Sequence, residues 1–489
     1  MAITQLPVIS QGVVREKRVS RQAIKKQYTR SLSLAWNCDL REKTGAVMVR
    51  KGSVKLGSTN PLTSNTPRGV GVLDSIAYNR PFGAWMVSGS ASLRYYDGAN
   101  WQTATGFPTT DREYDFAQLG GRMFAVGAST MYESDALAVW TNQEARGCLQ
   151  LEAKVVWVMG ARLFVSQITG KPGYVGFSSI WNDAVSSRIT WNTDNLAGDF
   201  IVVNPDDGAG EVVGGVFAGS TYIIFKERAT YMYRRAQQGV EPDMYIPVGS
   251  ANKDSYTECS GYAYFFSAPI RKSSGVESGG FYMTNGMNKK NVGWPIQDIL
   301  DAVSDASKVR VESDEHSVYL YLGDIPIDDV VYANVVMIYN VDNDAWEGPH
   351  SFPYDNLRFS RGAIHGLIAQ TNDKIVQLES DNATDDGVQI DYVARSNDNE
   401  ITEEAYMKSL REFTVYTQNA QGSTLHFKSK KRGLVGNKNN HTIDGDICII
   451  TNPMPGDFNT YTWEWRGTKK EEPAVFEGAI IEYEQKANK

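Results

Sequence analysis

Val212-Val-Gly-Gly-Val-Phe-Ala-Gly-Ser-Thr-Tyr-Ile-Ile-Phe-Lys-Glu-Arg-Ala-Thr-Tyr-Met-Tyr233 is the stretch that decides the fold. Its apolar and aromatic residues come in short runs broken by glycine and by a polar turn, the pattern of antiparallel strands. The order is a strand, a Gly-containing turn, a strongly apolar strand, a polar turn and an aromatic-ended strand. Upstream, Gly83-Ala-Trp-Met-Val87 leads to Leu93-Arg-Tyr-Tyr96, an Asp97-Gly98 turn and Trp101. Leu119-Gly-Gly-Arg-Met-Phe-Ala-Val126 is followed by Met131-Tyr132 and Trp140, and Val155-Val-Trp-Val-Met159 by Leu163-Phe-Val165 and Trp181. Downstream, Tyr262-Ala-Tyr-Phe-Phe266, Val318-Tyr-Leu-Tyr-Leu322 and Ile364-His-Gly-Leu-Ile368 open further copies.

The equivalent second strands fall near Ala84, Met123, Leu163, Tyr222, Tyr264, Val318 and Gly366, spaced by 39 to 59 residues. Four-stranded propeller blades repeat every ~40–50 residues. One twisted blade cannot bury both faces alone, so blades must stack around an axis. The sequence predicts an all-β protein: a β-propeller of about seven blades over residues 34–384. A pair of β-sandwiches is the competing architecture. At 489 residues the chain exceeds the ~250–300 that one core supports, a limit that stacked modules escape.

Both ends stand outside the series. Residues 1–33 read as an extended arm, carrying Arg15, Lys17, Arg18, Arg21, Lys25, Lys26 and Arg30 against the single acid Glu16. Such an arm suits contact with a neighbouring subunit or with nucleic acid. Residues 385–489 open on a polar, acidic stretch and then resume strands, as a closing blade or an appended small β-sandwich. Lys428, Lys430, Lys431 and Arg432 form the densest basic cluster outside the arm. They read as a solvated hairpin tip or as an anchor for an acidic partner or a DNA backbone.

The formal net charge of −8 argues against a general nucleic-acid binder, which needs a cationic surface. It leaves room for a pore through which DNA slides. Cys38, Cys148, Cys259 and Cys448 lie far apart with no CxxC pair, so buried free thiols are expected, and with them synthesis in a reducing cytoplasm. The N-terminus lacks a signal-peptide core, and no apolar run approaches a membrane span.

The chain carries no P-loop, GxGxxG, GxSxG or HExxH motif. His316, His350, His365, His426 and His441 show no spacing suited to a metal or a triad. Asp206-Asp207-Gly208 with Glu211, and Asp342-Asn343-Asp344 with Glu347, could hold calcium. Hairpin turns stabilised by Asx hydrogen bonds are the plainer reading. The expectation is a chain that is not an enzyme and has no catalytic, metal or cofactor residues.

Three stretches resemble a family of short-tailed-phage tail propellers, the nozzle, hub or packaged-DNA stabilisation proteins. They are Leu34-Ala-Trp-Asn-Cys-Asp-Leu-Arg-Glu-Lys-Thr-Gly45 with Val49-Arg-Lys-Gly52, then Arg162-Leu-Phe-Val-Ser166 through Tyr174-Val-Gly-Phe-Ser178 to Trp181, and residues 214–228. The likeness is clearest over residues 30–240, and the last hundred residues match nothing in the family. The resemblance implies a virion structural protein with six copies in a ring below the portal or adaptor. That ring would contact tail-tip or fibre proteins, touch DNA transiently and hold packaged DNA until ejection, without membrane contact. Two other functions compete. One is a carbohydrate-binding propeller for host-surface recognition, with Trp101, Trp181 and Trp346 stacking on sugars. The other is a kelch-like peptide-binding adaptor; Gly120-Gly121 with Trp140 resembles kelch blades, which supports the fold and says little of function.

Overall fold

The computed structural model describes residues 2–5, 12–15, 31–43, 45–62, 65–127, 130–142, 152–171, 173–183, 189–191, 200–234, 242–272, 275–277, 279–397, 407–431, 434–454, 458, 460–469 and 471–486. Among these, seven antiparallel sheets follow one another along the chain as blades. Blade 1 is Thr66–Asp74, Asn79–Val87, Ser90–Tyr96 and Trp101–Thr103. Blade 2 starts at Asp115–Leu119, blade 3 at Val155–Met159, blade 4 at Val212–Ala218, blade 5 at Tyr256–Cys259 and blade 6 at Arg310–Ser313. Blade 7 comprises Arg358–Gly362, Gly366–Gln370 and Ile375–Ser380, and takes its next strand, Gly52–Lys55, from the other side of the propeller sequence. The first strand of each blade packs on that of the next, and blade 7's packs on blade 1's. The ring is closed, so the fold is a β-propeller.

The apolar second strands explain the closure. In blade 3, Leu163 and Val165 join a core with blade 2, while Phe164 between them joins a core with blade 4. In blade 4, Ile224 faces blade 3 while Ile223 and Phe225 face blade 5. A strand buried on both faces has no polar face to show, and its run is continuously apolar. Burying each such side chain contributes about 1.5–3 kcal/mol. Trp85 and Ile368 seal blade 1 against blade 7, helped by Gln370 Nε2 donating to the Ala84 carbonyl at 2.7 Å.

The chain ends form a β-sandwich. One sheet contains Leu32–Trp36, Asp391–Ser396, Thr460–Thr468, Thr424–Lys431 and Leu434–Thr442 in that order. The other contains Cys38–Asp39, Val47–Val49, Val475–Lys486, Met407–Gln418 and Ile447–Thr451, with Ala2–Gln5 paired to residues 480–483. The boundary read at residue 34 is therefore corrected. Residues 32–49 belong to this sandwich, because Leu34, Ala35 and Val47 supply apolar side chains to its core. The sandwich thus draws strands from both sides of the inserted propeller. Phe413, Phe427 and Trp465 share one continuous core with Leu320 and Met337 of blade 6.

Polar side chains lock this junction. Arg50, 1% exposed, donates to both oxygens of Asp385 at 3.0 and 2.5 Å, to Asn37 Oδ1 at 2.9 Å and to the Ser351 carbonyl at 2.7 Å. Lys469 Nζ donates to the Arg50 and Asn382 carbonyls, both at 2.8 Å. Among the described residues, no helix is long and apolar enough to cross a membrane.

Candidate functional site: the propeller axis

Six of the seven first strands line one cavity of about 220 Å³, a position only the axis of the ring can occupy. The seventh, in blade 4, contributes Gly214. A Cβ there would stand 1.8 Å from the Tyr256 hydroxyl oxygen, and φ is +145°. Glycine is thus required for Tyr256 to reach the axis.

The cavity wall is charged. Lys253 Nζ, from the loop entering blade 5, lies 3.1 Å from both Asp115 Oδ1 and Asp254 Oδ1. The Val156 backbone N–H of blade 3 donates to Asp115 Oδ2 at 2.8 Å. Arg310 Nε of blade 6 sits 3.1 Å from Asp254 Oδ2. Arg358 of blade 7 reaches Glu113 at 2.5 Å and Asp254 at 3.8 Å. Charge pairs thereby tie blades 2, 5, 6 and 7 across the axis, and the Val156 N–H adds blade 3.

Burial and partners set these carboxyls apart. Desolvation pushes Asp254 up, but Lys253, Arg310 and Arg358 outweigh it and hold the carboxyl far below its usual range. Glu312 accepts its next residue's N–H, Ser313, at 3.0 Å. Desolvation dominates there over Ser313 and the more distant Arg361, raising Glu312 to about 7. One cavity so presents a carboxyl able to carry a proton near neutrality beside one that stays anionic, the arrangement that separates acid from anion roles in many sites.

Sequence reading missed this cluster. Its carboxylates at 115, 254 and 312 come from three blades, and no local spacing announces them. The residues it did single out lie elsewhere. Arg15 is not a free contact residue. It is buried, paired with Asp298 at 3.1 Å and Asp328 at 2.9 Å, and donates to the Ser33 carbonyl at 2.7 Å. It ties the chain start to blade 6. Lys17, Arg18, Arg21, Lys25, Lys26 and Arg30 lie outside the described residues. Lys428, half-buried, faces a polar groove between Asp328 and the sandwich, lined also by Arg395, His426 and Arg466. The backbones of Lys430 and Lys431 continue its strand, and Arg432 lies outside the described residues.

The aspartate turns have internal partners. Asp207 accepts from Tyr231, from the Ala209 N–H and from Lys226, the last at 2.5 Å. Asp344 accepts from Tyr339 and pairs with Lys290 at 2.6 Å. Glu347 is buried with Arg41 at 2.5 Å. Trp346 is corrected as a sugar-stacking candidate, since it is 1% exposed and donates to the Val292 carbonyl at 2.7 Å. Trp181 packs where a Gly120 Cβ would stand, and Trp101 donates to the Leu56 carbonyl at 3.0 Å. Cys38, Cys259 and Cys448 are buried and free, and Cys148 lies outside the described residues.

No family model and no curated protein matches this chain. Among solved structures, one titled as a glycoside hydrolase is similar at 11% identity and a TM-score of 0.29, covering 86% of this chain and all of its own. An exo-β-1,3-galactanase from Phanerochaete chrysosporium, determined with galactose, is similar at 9% identity and a TM-score of 0.26, covering 78% and 98%. The expectation that the chain is not an enzyme is corrected at this point. Both similar structures are titled as glycan-cleaving enzymes, and the lack of a local motif excluded only sites built from contiguous sequence.

Proposed function

We propose that this chain is a wall unit of a short-tailed-phage tail channel, assembled with further copies of itself into a ring, with six as the expected number. The observation that supports this reading best is the double closure of the fold. Strand Gly52–Lys55 completes blade 7, and both chain ends enter one sandwich whose core is continuous with blade 6. A body closed in this way leaves only short, protected blade edges, which suits a part that must hold against packed DNA. The axis is spanned by ion pairs and encloses only about 220 Å³, so DNA would run between copies and not through a propeller. The net charge of −8 lets a polyanion pass such a wall without adhering. The ring would meet the portal or adaptor on one side and tip or fibre proteins on the other.

The test is cryo-electron microscopy of the source particle with this chain fitted to the map. Six propellers around the tail axis, each with its axis off the DNA path, support the reading. A particle lacking the chain, or one copy on the tail axis with DNA through the blades, overturns it.

A further inference from the structure

We infer that the axial cavity is a binding site for a single neutral sugar residue, such as the terminal unit of a glycan. Three observations carry this independently of the ring assembly. The first is composition: Lys253, Arg310 and Arg358 stand against Asp115, Asp254 and Glu312 around one space. The three cations already pair with Asp115 and Asp254, so a free ion gains little from entering. A neutral molecule rich in hydroxyls finds donors and acceptors in equal supply.

The second observation is that the wall is predominantly polar, with Tyr114, Phe116, Tyr256 and Phe359 adding only a minor apolar part, as a hydroxyl-rich ligand requires. The third is size. About 220 Å³ corresponds to roughly seven water molecules at about 30 Å³ each, enough for one sugar ring and too little for a disaccharide. Glu312 is the group with capacity to spare. Its carboxyl accepts the Ser313 N–H, while Asp115 and Asp254 are engaged by Lys253 and Arg310. Glu312 is therefore the specificity-determining residue, presenting a donor or an acceptor to a ring hydroxyl. A polar wall of paired charges with one carboxyl that keeps acceptor capacity can orient a polyol.

Saturation-transfer-difference NMR on the purified full chain tests this, with glucose, galactose, mannose and N-acetylglucosamine as probes and inorganic phosphate as the control anion. Transfer to the ring protons of at least one sugar is expected, with none from phosphate competition. Glu312→Ala should weaken binding at least tenfold, whereas Ile76→Ser, at an exposed turn, should leave it unchanged. A Glu312→Ala chain that does not fold is replaced by Glu312→Gln, which should change the sugar preference or weaken binding by at least threefold. No transfer from any probe, displacement of sugar by phosphate, or affinity unaltered in the folded Glu312 variants overturns the site. Incorporation into particles is read separately and is not affected by any of these outcomes.

Discussion

Arg50→Ala is the substitution that should cost most for its size. The guanidinium is 1% exposed and its partner Asp385 has a side chain 3% exposed. Asp385 would keep the Ser53 hydroxyl at 2.9 Å and lose both guanidinium donors. Leaving one member of a buried pair uncompensated costs about 3–5 kcal/mol, which at ~1.4 kcal/mol per decade is a hundredfold to several-thousandfold shift in the unfolding equilibrium. The Ser351 carbonyl loses the Arg50 donor as well, while Asn37 Oδ1 keeps the Ser351 N–H at 2.9 Å. Denaturant unfolding followed by tryptophan fluorescence reports it, since Trp85 sits in blade 1 and Trp465 in the sandwich. Arg50→Ala with Asp385→Ala should be less damaging than the sum of the two by at least ~0.5 kcal/mol. Replacing the pair with Met and Leu should recover most of the loss. A midpoint unmoved by Arg50→Ala, or strictly additive singles, would refute the claim that this pair locks propeller to sandwich.

Burial, with Arg50 and Arg41 adding to it, holds His350 well below its ordinary value. Its unfolded form gains a proton first, so stability should fall as pH drops below ~6.5; His350→Gln should flatten that slope in thermal melts. Glu312 runs the other way: raised to about 7 from 4.5, it stabilises the fold below about 4.5 and loses this as pH rises toward 7. Glu312→Gln should remove that decline, and an unchanged pH profile would contradict it. Gly214→Ala should destabilise by roughly 1–3 kcal/mol through its φ and its clash with Tyr256, and Tyr256→Phe should rescue part of the loss. Replacing Lys17, Arg18, Arg21, Lys25, Lys26 and Arg30 with serine while keeping Arg15 should block incorporation into particles and leave the melting temperature unaltered; normal incorporation discards the arm as an assembly contact.

The blades were legible because propeller packing writes itself into local sequence. All seven positions from Ala84 to Gly366 fall in the second strand of their blade, since that strand is buried on both faces and cannot alternate. The sandwich was only half legible. Its C-terminal strands alternate, as Ile447–Thr451 does with isoleucines 447 and 449 outward. Its partners at Leu32–Trp36 and Val47–Val49 are hundreds of residues away, and no local period carries a pairing of that range. Arg15 misled for a related reason: a basic run reads as solvated, and nothing nearby reveals that Asp298 and Asp328 will fold over one member of it.

The axial cluster is the limiting case of the same effect. A propeller brings the starts of its first strands together at the axis whatever their separation in sequence, so any chemistry there is assembled from single residues, one or two per blade. Such a site costs no motif and leaves no spacing. It does constrain backbone: blade 4 must give glycine at 214 so that Tyr256 fits, and the loop before blade 5 must place Lys253 beside Asp254. The pairs also bear on the ring reading. Asp115, Asp254, Glu113 and their cations tie blades 2, 5, 6 and 7 to one another, and the Val156 N–H adds blade 3, so the network that shapes the cavity also stiffens the disc. If Lys253→Met weakens both the melting temperature and sugar binding while leaving copy number in particles intact, then rigidity and recognition share this network, and assembly depends on surfaces away from the axis.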